Sequence, residues 1–183
     1  MRVAAGRGLA WVALLGLLLA PVRTFGVDAD GAIADGGQFF SPEALSEAGD
    51  IIRSIQSLYD RDVRVETYPE VPPHLRGDLE RDGREKFYDD WLNRRARQMN
   101  VQGVFVLVTR TPARVQVGVD KATGRRAFPV DDREALRDAL AAAFHNGRYD
   151  QGLLDGLRFV KQRLDENTSR DRSGSVPVVG DWN

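Results

Sequence analysis

The chain contains no cysteine. Disulfides, thiolate nucleophiles and cysteine metal sites are therefore excluded, and the fold must be held by its core. Histidine is almost as scarce. Only His74 and His145 occur, and neither stands at a metal-ligand spacing from a partner. Lysine is confined to Lys86, Lys121 and Lys161, so the basic residues are nearly all arginine. Net charge is −1 at pH 7, which leaves no electrostatic footprint for nucleic acid or an anionic membrane surface. No Gly-x-Ser-x-Gly elbow and no phosphate loop is present. Long apolar runs are also rare. The one at Leu9–Ala20 is shorter than the roughly 20 residues a membrane-crossing helix needs, and no second one follows.

That single run defines the first segment. Arg2 and Arg7 precede it, Pro21 breaks it, and Thr24 and Gly26 are the small residues before a cut ahead of Val27. This is the layout of a secretory signal over residues 1–26, with an uncleaved N-terminal anchor as the alternative. A mature chain without a transmembrane helix, periplasmic or secreted, is expected. No cysteine follows the run, so lipid attachment at a cysteine is excluded. Residues 27–164 have the size of one ordinary domain. From Asp165 to Asn183 the sequence is polar and small, and a flexible tail is expected there.

Within the domain, Ser41-Pro42-Glu43 is a helix start: a hydroxyl cap, proline at the first helical position, an acid in the first turn. Leu45, Ala48, Ile52, Ile55 and Tyr59 place one apolar stripe on that helix. Val63–Tyr68 alternates as a half-buried strand, and prolines 69, 72 and 73 open a long loop to about Gly83. A helix from about Arg84 to Met99 carries Phe87, Trp91 and Leu92. Val104–Thr109 is apolar at nearly every position, as in a strand covered on both faces. Arg114–Val119 alternates after a short turn, so it is an antiparallel neighbour, whereas 63–68 reaches 104–109 through a helix and pairs with it in parallel. Asp131 with Glu134 reads as a capping box for a third helix, and Asp150 opens a fourth. The order predicts a single α/β layered domain, a small mixed sheet with helices on both faces.

Several phrases in this order resemble the TPM domain. Asp35-Gly-Gly-Gln-Phe-Phe-Ser41 is similar to its opening, Val63-Arg-Val-Glu-Thr67 to its first strand, Gly103–Val108 with Arg114–Gly118 to its central hairpin, and Phe144–Leu153 to its closing turn and helix. The resemblance spans about residues 33–164. It departs from the family where Gln102 stands in place of the usual Asn, and where Gly118-Val-Asp-Lys-Ala-Thr-Gly124 replaces Gly-Tyr-Gly-Leu-Glu. The resemblance implies the fold and a place outside the cytoplasm. For function it implies a range: acid phosphatase activity, calcium binding, photosystem repair and receptor accessory roles.

Carboxylates are the only reactive groups in quantity. Asp35, Asp120 and Asp131 (with Asp132 beside the last) all fall at strand or helix ends. If their loops meet at the carboxyl edge of the parallel strands, they form an oxygen site suited to calcium. The competing readings are a turn residue for Asp35, a solvated loop charge for Asp120 and a helix cap for Asp131. His145 is read as a helix-terminal cation. Arg94, Arg95 and Arg97 are either phosphate ligands or one solvated helix face. Two functions are therefore carried forward. One is a non-catalytic binding or assembly module for a membrane or envelope protein, steadied by calcium. The alternative is a metal-dependent phosphatase-like hydrolase.

Overall fold

The computed structural model of the chain describes Gly26–Val27 and residues 31–174. The expected signal segment, apart from Gly26, and Trp182 lie outside these residues. Five strands form one sheet in the order β1 (Gly26–Val27), β2 (Ile33–Asp35), β3 (Asp62–Glu70), β4 (Gly103–Thr111) and β5 (Arg114–Val119). β2, β3 and β4 are parallel, while β1 and β5 flank them antiparallel. The expected mixed sheet, with residues 104–109 between 63–68 and 114–119, is what forms.

Each strand is sided by its alternation. Val104, Val106 and Val108 face α1 (Pro42–Tyr59), α5 (Val130–His145) and α6 (Tyr149–Gly174), together with Val63, Val65, Val115 and Val117. Phe105 and Leu107 face the opposite way, against Phe87, Tyr88, Trp91 and Leu92 of α3 (Arg84–Gln98). Two layers of apolar side chains cover Val104–Val108, which is why this part of β4 is apolar without interruption.

α1 starts as its residues dictate. The Ser41 hydroxyl accepts from the Ala44 N–H at 3.2 Å, Pro42 is the first helical residue, and Asp60 ends the helix in a left-handed conformation. The region expected as a loop after Pro73 instead holds a single 3₁₀ turn and α2 (Arg76–Asp82). On the α3 side, Arg95 forms an ion pair with the buried Glu66, and the Tyr68 hydroxyl donates to the same carboxylate at 2.7 Å. Burial first, then this hydrogen bond and the Glu66 charge, hold the Tyr68 phenol well above its ordinary value of 10.

α6 runs through Gly174, well past the point where a flexible tail is expected. Asp132 is buried and anchors it: Arg163 donates to Asp132 at 2.6 Å and the Asn167 amide at 2.9 Å. The Asn167 amide also donates to the Ala127 carbonyl at 3.1 Å. Polar residues that look unable to order themselves are ordered by a distant carboxylate. α5 also differs from expectation. It begins at Val130 after Pro129, with no side-chain cap, so Asp131 lies inside the first turn and forms no capping box with Glu134. Among the described residues no helix is long and apolar enough to cross a membrane.

Candidate functional site: a basic groove at the carboxyl edge of the sheet

β2, β3 and β4 all end at one edge, and a groove of about 530 Å³ opens there between the β4–β5 hairpin and the C-terminal end of α5. This is the edge where parallel α/β sheets receive ligands, and the volume lies in the usual range for ligand pockets.

The groove is built on the turn that follows β2. Asp35 is 2% exposed, and its carboxylate accepts from the Phe39 N–H at 2.9 and 3.0 Å, from the Phe40 N–H at 3.0 Å, and from the Thr67 hydroxyl. Thr67 in turn accepts from the Gly37 N–H at 2.9 Å. With Phe39 and Phe40 fixed by their backbone, their rings meet the closing segment of the domain. The Phe39 and Tyr149 rings lie 5.1 Å apart, Phe40 and Phe144 6.1 Å, and Phe144 and Tyr149 5.5 Å. Asp150 completes the junction by accepting from the Ser41 N–H at 2.9 Å. A Cβ at Gly152 would stand 2.7 Å from that of Ala143, so glycine permits the close approach of α6 to α5. The opening and closing phrases of the sequence are therefore two halves of one contact.

Three arginines line the groove, and they differ in how far their charge is already matched. Arg114 is held by Glu85 through two bonds of 2.7 and 2.6 Å, which raises its proton affinity further. Arg137 lies 2.9 Å from Asp138. Arg110 stacks on the Phe39 ring at 4.4 Å and makes one long bond of 3.4 Å to the Gly37 carbonyl. Among the described residues no carboxylate pairs with it. His145, in the last turn of α5, lies on the same groove.

The three expected metal ligands are not brought together. Asp35 belongs to the groove edge but is engaged as the acceptor of the turn. Asp120 lies at the opposite edge, because β5 runs antiparallel and returns the chain to the start of β4. Its N–H donates to the Gly103 carbonyl, whereas Asp35 aligns with Thr67 and Val108. The separation is five residues of β4, about 17 Å along the strand. Asp120 caps the short α4 (Lys121–Arg125) by accepting from the Ala122 and Thr123 N–H groups at 2.8 and 3.3 Å. Asp131 is exposed on the first turn of α5. Among the described residues no three His, Asp or Glu side chains converge as a metal site. The calcium expectation thereby loses its donor set. Asp131→Ala is expected to change stability by less than about 0.5 kcal/mol, because the residue is no cap. Thermal melting with and without calcium should give the same shift in this variant as in the wild type.

The remaining candidates also scatter. Arg95 is engaged by Glu66, Arg94 lies 3.8 Å from Asp78, and Arg97 borders a separate cleft beside Asp120. His74 is exposed in the 3₁₀ turn. Arg110, Arg114 and Arg137 are not legible as site residues in the sequence, since nothing in their local spacing marks them.

The fold and the groove define the class: a single α/β domain with helices on both faces of a mixed sheet and a basic, aromatic-walled groove at its carboxyl edge. The sequence model of the TPM domain matches residues 33–163, and the chain belongs to that family. Among solved structures, the N-terminal domain of a protein from P. gingivalis is similar, with a TM-score of 0.60 and 22% identity, covering 75% of this chain and 85% of that one. The BA42 protein of the psychrophilic bacterium Bizionia argentinensis is also found, at a TM-score of 0.47 and 20% identity over 71% of this chain and 84% of that one. No curated protein matches the chain.

Proposed function

We propose that this TPM domain is a non-catalytic binding or assembly module that works outside the cytoplasm on a membrane or envelope protein, with the groove as its contact. The observation that carries this reading is the groove lining. Its polar side chains are mainly donors set against aromatic rings, Phe39, Phe144 and Tyr149, with no nucleophile hydrogen-bonded to a base. Such a surface holds a partner without performing chemistry on it. The basic start and short apolar core of residues 1–26 support export.

The alternative is a phosphatase-like hydrolase, favoured by the phosphatase label of the family model. The carboxylates expected to hold its metal do not fit that role, because Asp35 and Asp120 stand at opposite edges.

Photo-crosslinking in cells separates the two readings. A photoreactive residue at Ala141, in the groove, should give one defined adduct with an envelope protein, and one at Asn100, on the opposite edge, should not. Equal adducts from both positions, or none from Ala141, count against the module. Turnover of p-nitrophenyl phosphate that is lost in Arg110→Met would favour the hydrolase.

A further inference from the structure

We propose that the groove recognises a carboxylate, carried by an acidic side chain next to a large apolar residue in an extended segment of the partner protein, and that Arg110 is the residue that reads it. This rests on the binding-module reading and supplies its chemistry.

Charge decides the class of ligand. Arg110, Arg114 and Arg137 bring three positive charges, and Glu85 with Asp138 beside Arg137 brings two negative ones, leaving one (3 − 2 = 1). The unmatched charge sits on Arg110. A guanidinium has five N–H donors in a planar fork, and Arg110 uses one of them, in a long bond to Gly37. A single carboxylate matches both the charge and the planar geometry. A phosphate dianion would exceed the charge. His145 adds a ring N–H donor on the same wall in either protonation state.

Arg110 is also prepared for this role by the turn beneath it. The Asp35 carboxylate fixes the Phe39 backbone, the Phe39 ring supports the guanidinium at 4.4 Å, and Arg110 lines the groove. Stacking restricts the side chain before any ligand arrives, which lowers the ordering cost of binding. Beside it, Ala113 and Ala141, both exposed, and the half-buried Tyr149 ring provide the apolar surface that a flanking hydrophobic side chain would cover.

The test uses a fluorescein-labelled peptide, Gly-Phe-Glu-Val-Glu-Phe-Gly, and its twin with glutamine at both glutamate positions, measured by anisotropy on the full domain. The glutamate peptide should bind the wild type at least tenfold more tightly than the glutamine twin. Arg110→Met should remove that difference, Arg110→Lys should restore only part of it, and Arg97→Met at the opposite edge should leave it intact. The exposed position of Arg110 makes these variants compatible with folding, and their melting curves check it. Equal affinity for the two peptides, no binding of either at millimolar concentration, or unchanged binding by Arg110→Met overturns the proposal. Displacement by inorganic phosphate at lower concentration than by acetate overturns the choice of carboxylate. Crosslinking from Ala141 that persists while the peptides fail to discriminate would leave the module standing and remove only its acidic specificity.

Discussion

Val106→Asp should prevent the domain from folding. Val106 is 5% exposed at the middle of β4, in register with Val65 of β3 and Val117 of β5, and it faces the core made with α1, α5 and α6. Among the described residues, the core side chains around it are apolar and offer a carboxylate neither a cation nor a donor. An unpaired buried charge, or the same group neutralised and left without hydrogen bonds, costs several kcal/mol. The whole stability of a domain of this size is on the order of 5–15 kcal/mol. Soluble yield and a circular-dichroism melt check the outcome: the wild type melts cooperatively, and the variant is insoluble or shows no transition. A soluble variant with a cooperative melt would contradict the central placement of β4.

Asp35→Ala should produce the next largest loss, by a different route. The substitution removes no apolar contact of consequence. Instead it strands the Phe39 and Phe40 N–H groups and the Thr67 hydroxyl, all buried. Each orphaned donor costs about 1–3 kcal/mol, and the three are not additive because the turn can relax toward solvent. A loss of about 3 kcal/mol is expected by urea denaturation, corresponding to a melting point lower by roughly 6–12 °C. Asp35→Asn should lie between, since it keeps one acceptor oxygen but turns an NH₂ toward the same donors. Calcium should not distinguish the variants from the wild type. If Asp35→Ala melted like the wild type and differed only in calcium response, Asp35 would be a metal ligand and not the acceptor that builds the turn.

These two residues differ in how far the sequence disclosed them. The position of Val106 is legible because it rests on local rules: an apolar run covered on both faces, a turn too short for anything but an antiparallel neighbour, and a helix before it that makes the other neighbour parallel. For Asp35 the sequence offers a turn residue beside a metal ligand, and only the fold shows that it is the buried acceptor of its turn. β2 is three residues long, too short for any periodicity, and its pairing with Val65–Thr67 joins positions some 30 residues apart. The expected meeting of Asp35, Asp120 and Asp131 fails for a reason contained in the hairpin itself. An antiparallel β5 must deliver Asp120 to the start of β4, at the edge opposite Asp35. The end of α6 is not legible in the sequence because composition registers polarity but not partners. Asp132 stands 31 and 35 residues before Arg163 and Asn167 and meets them only in the fold.

By itself, the sequence determined the layered α/β class, the start and buried stripe of α1, the order of β3, β4 and β5, and membership in the TPM family through phrases in a fixed order. Each of these depends on residues close in the chain, where backbone geometry and alternation leave a readable period. Tertiary structure alone decided the groove. Phe39 comes from the turn after β2, Arg110 from the end of β4, and Arg137 and His145 from α5. Their meeting depends on the packing of α5 and α6 over the sheet. It decided as well which groove arginine has no carboxylate partner among the described residues, because the pairing of Arg114 with Glu85 joins residues 29 apart. Coulomb attraction and ring stacking act across space whatever the chain distance, and no local period records them.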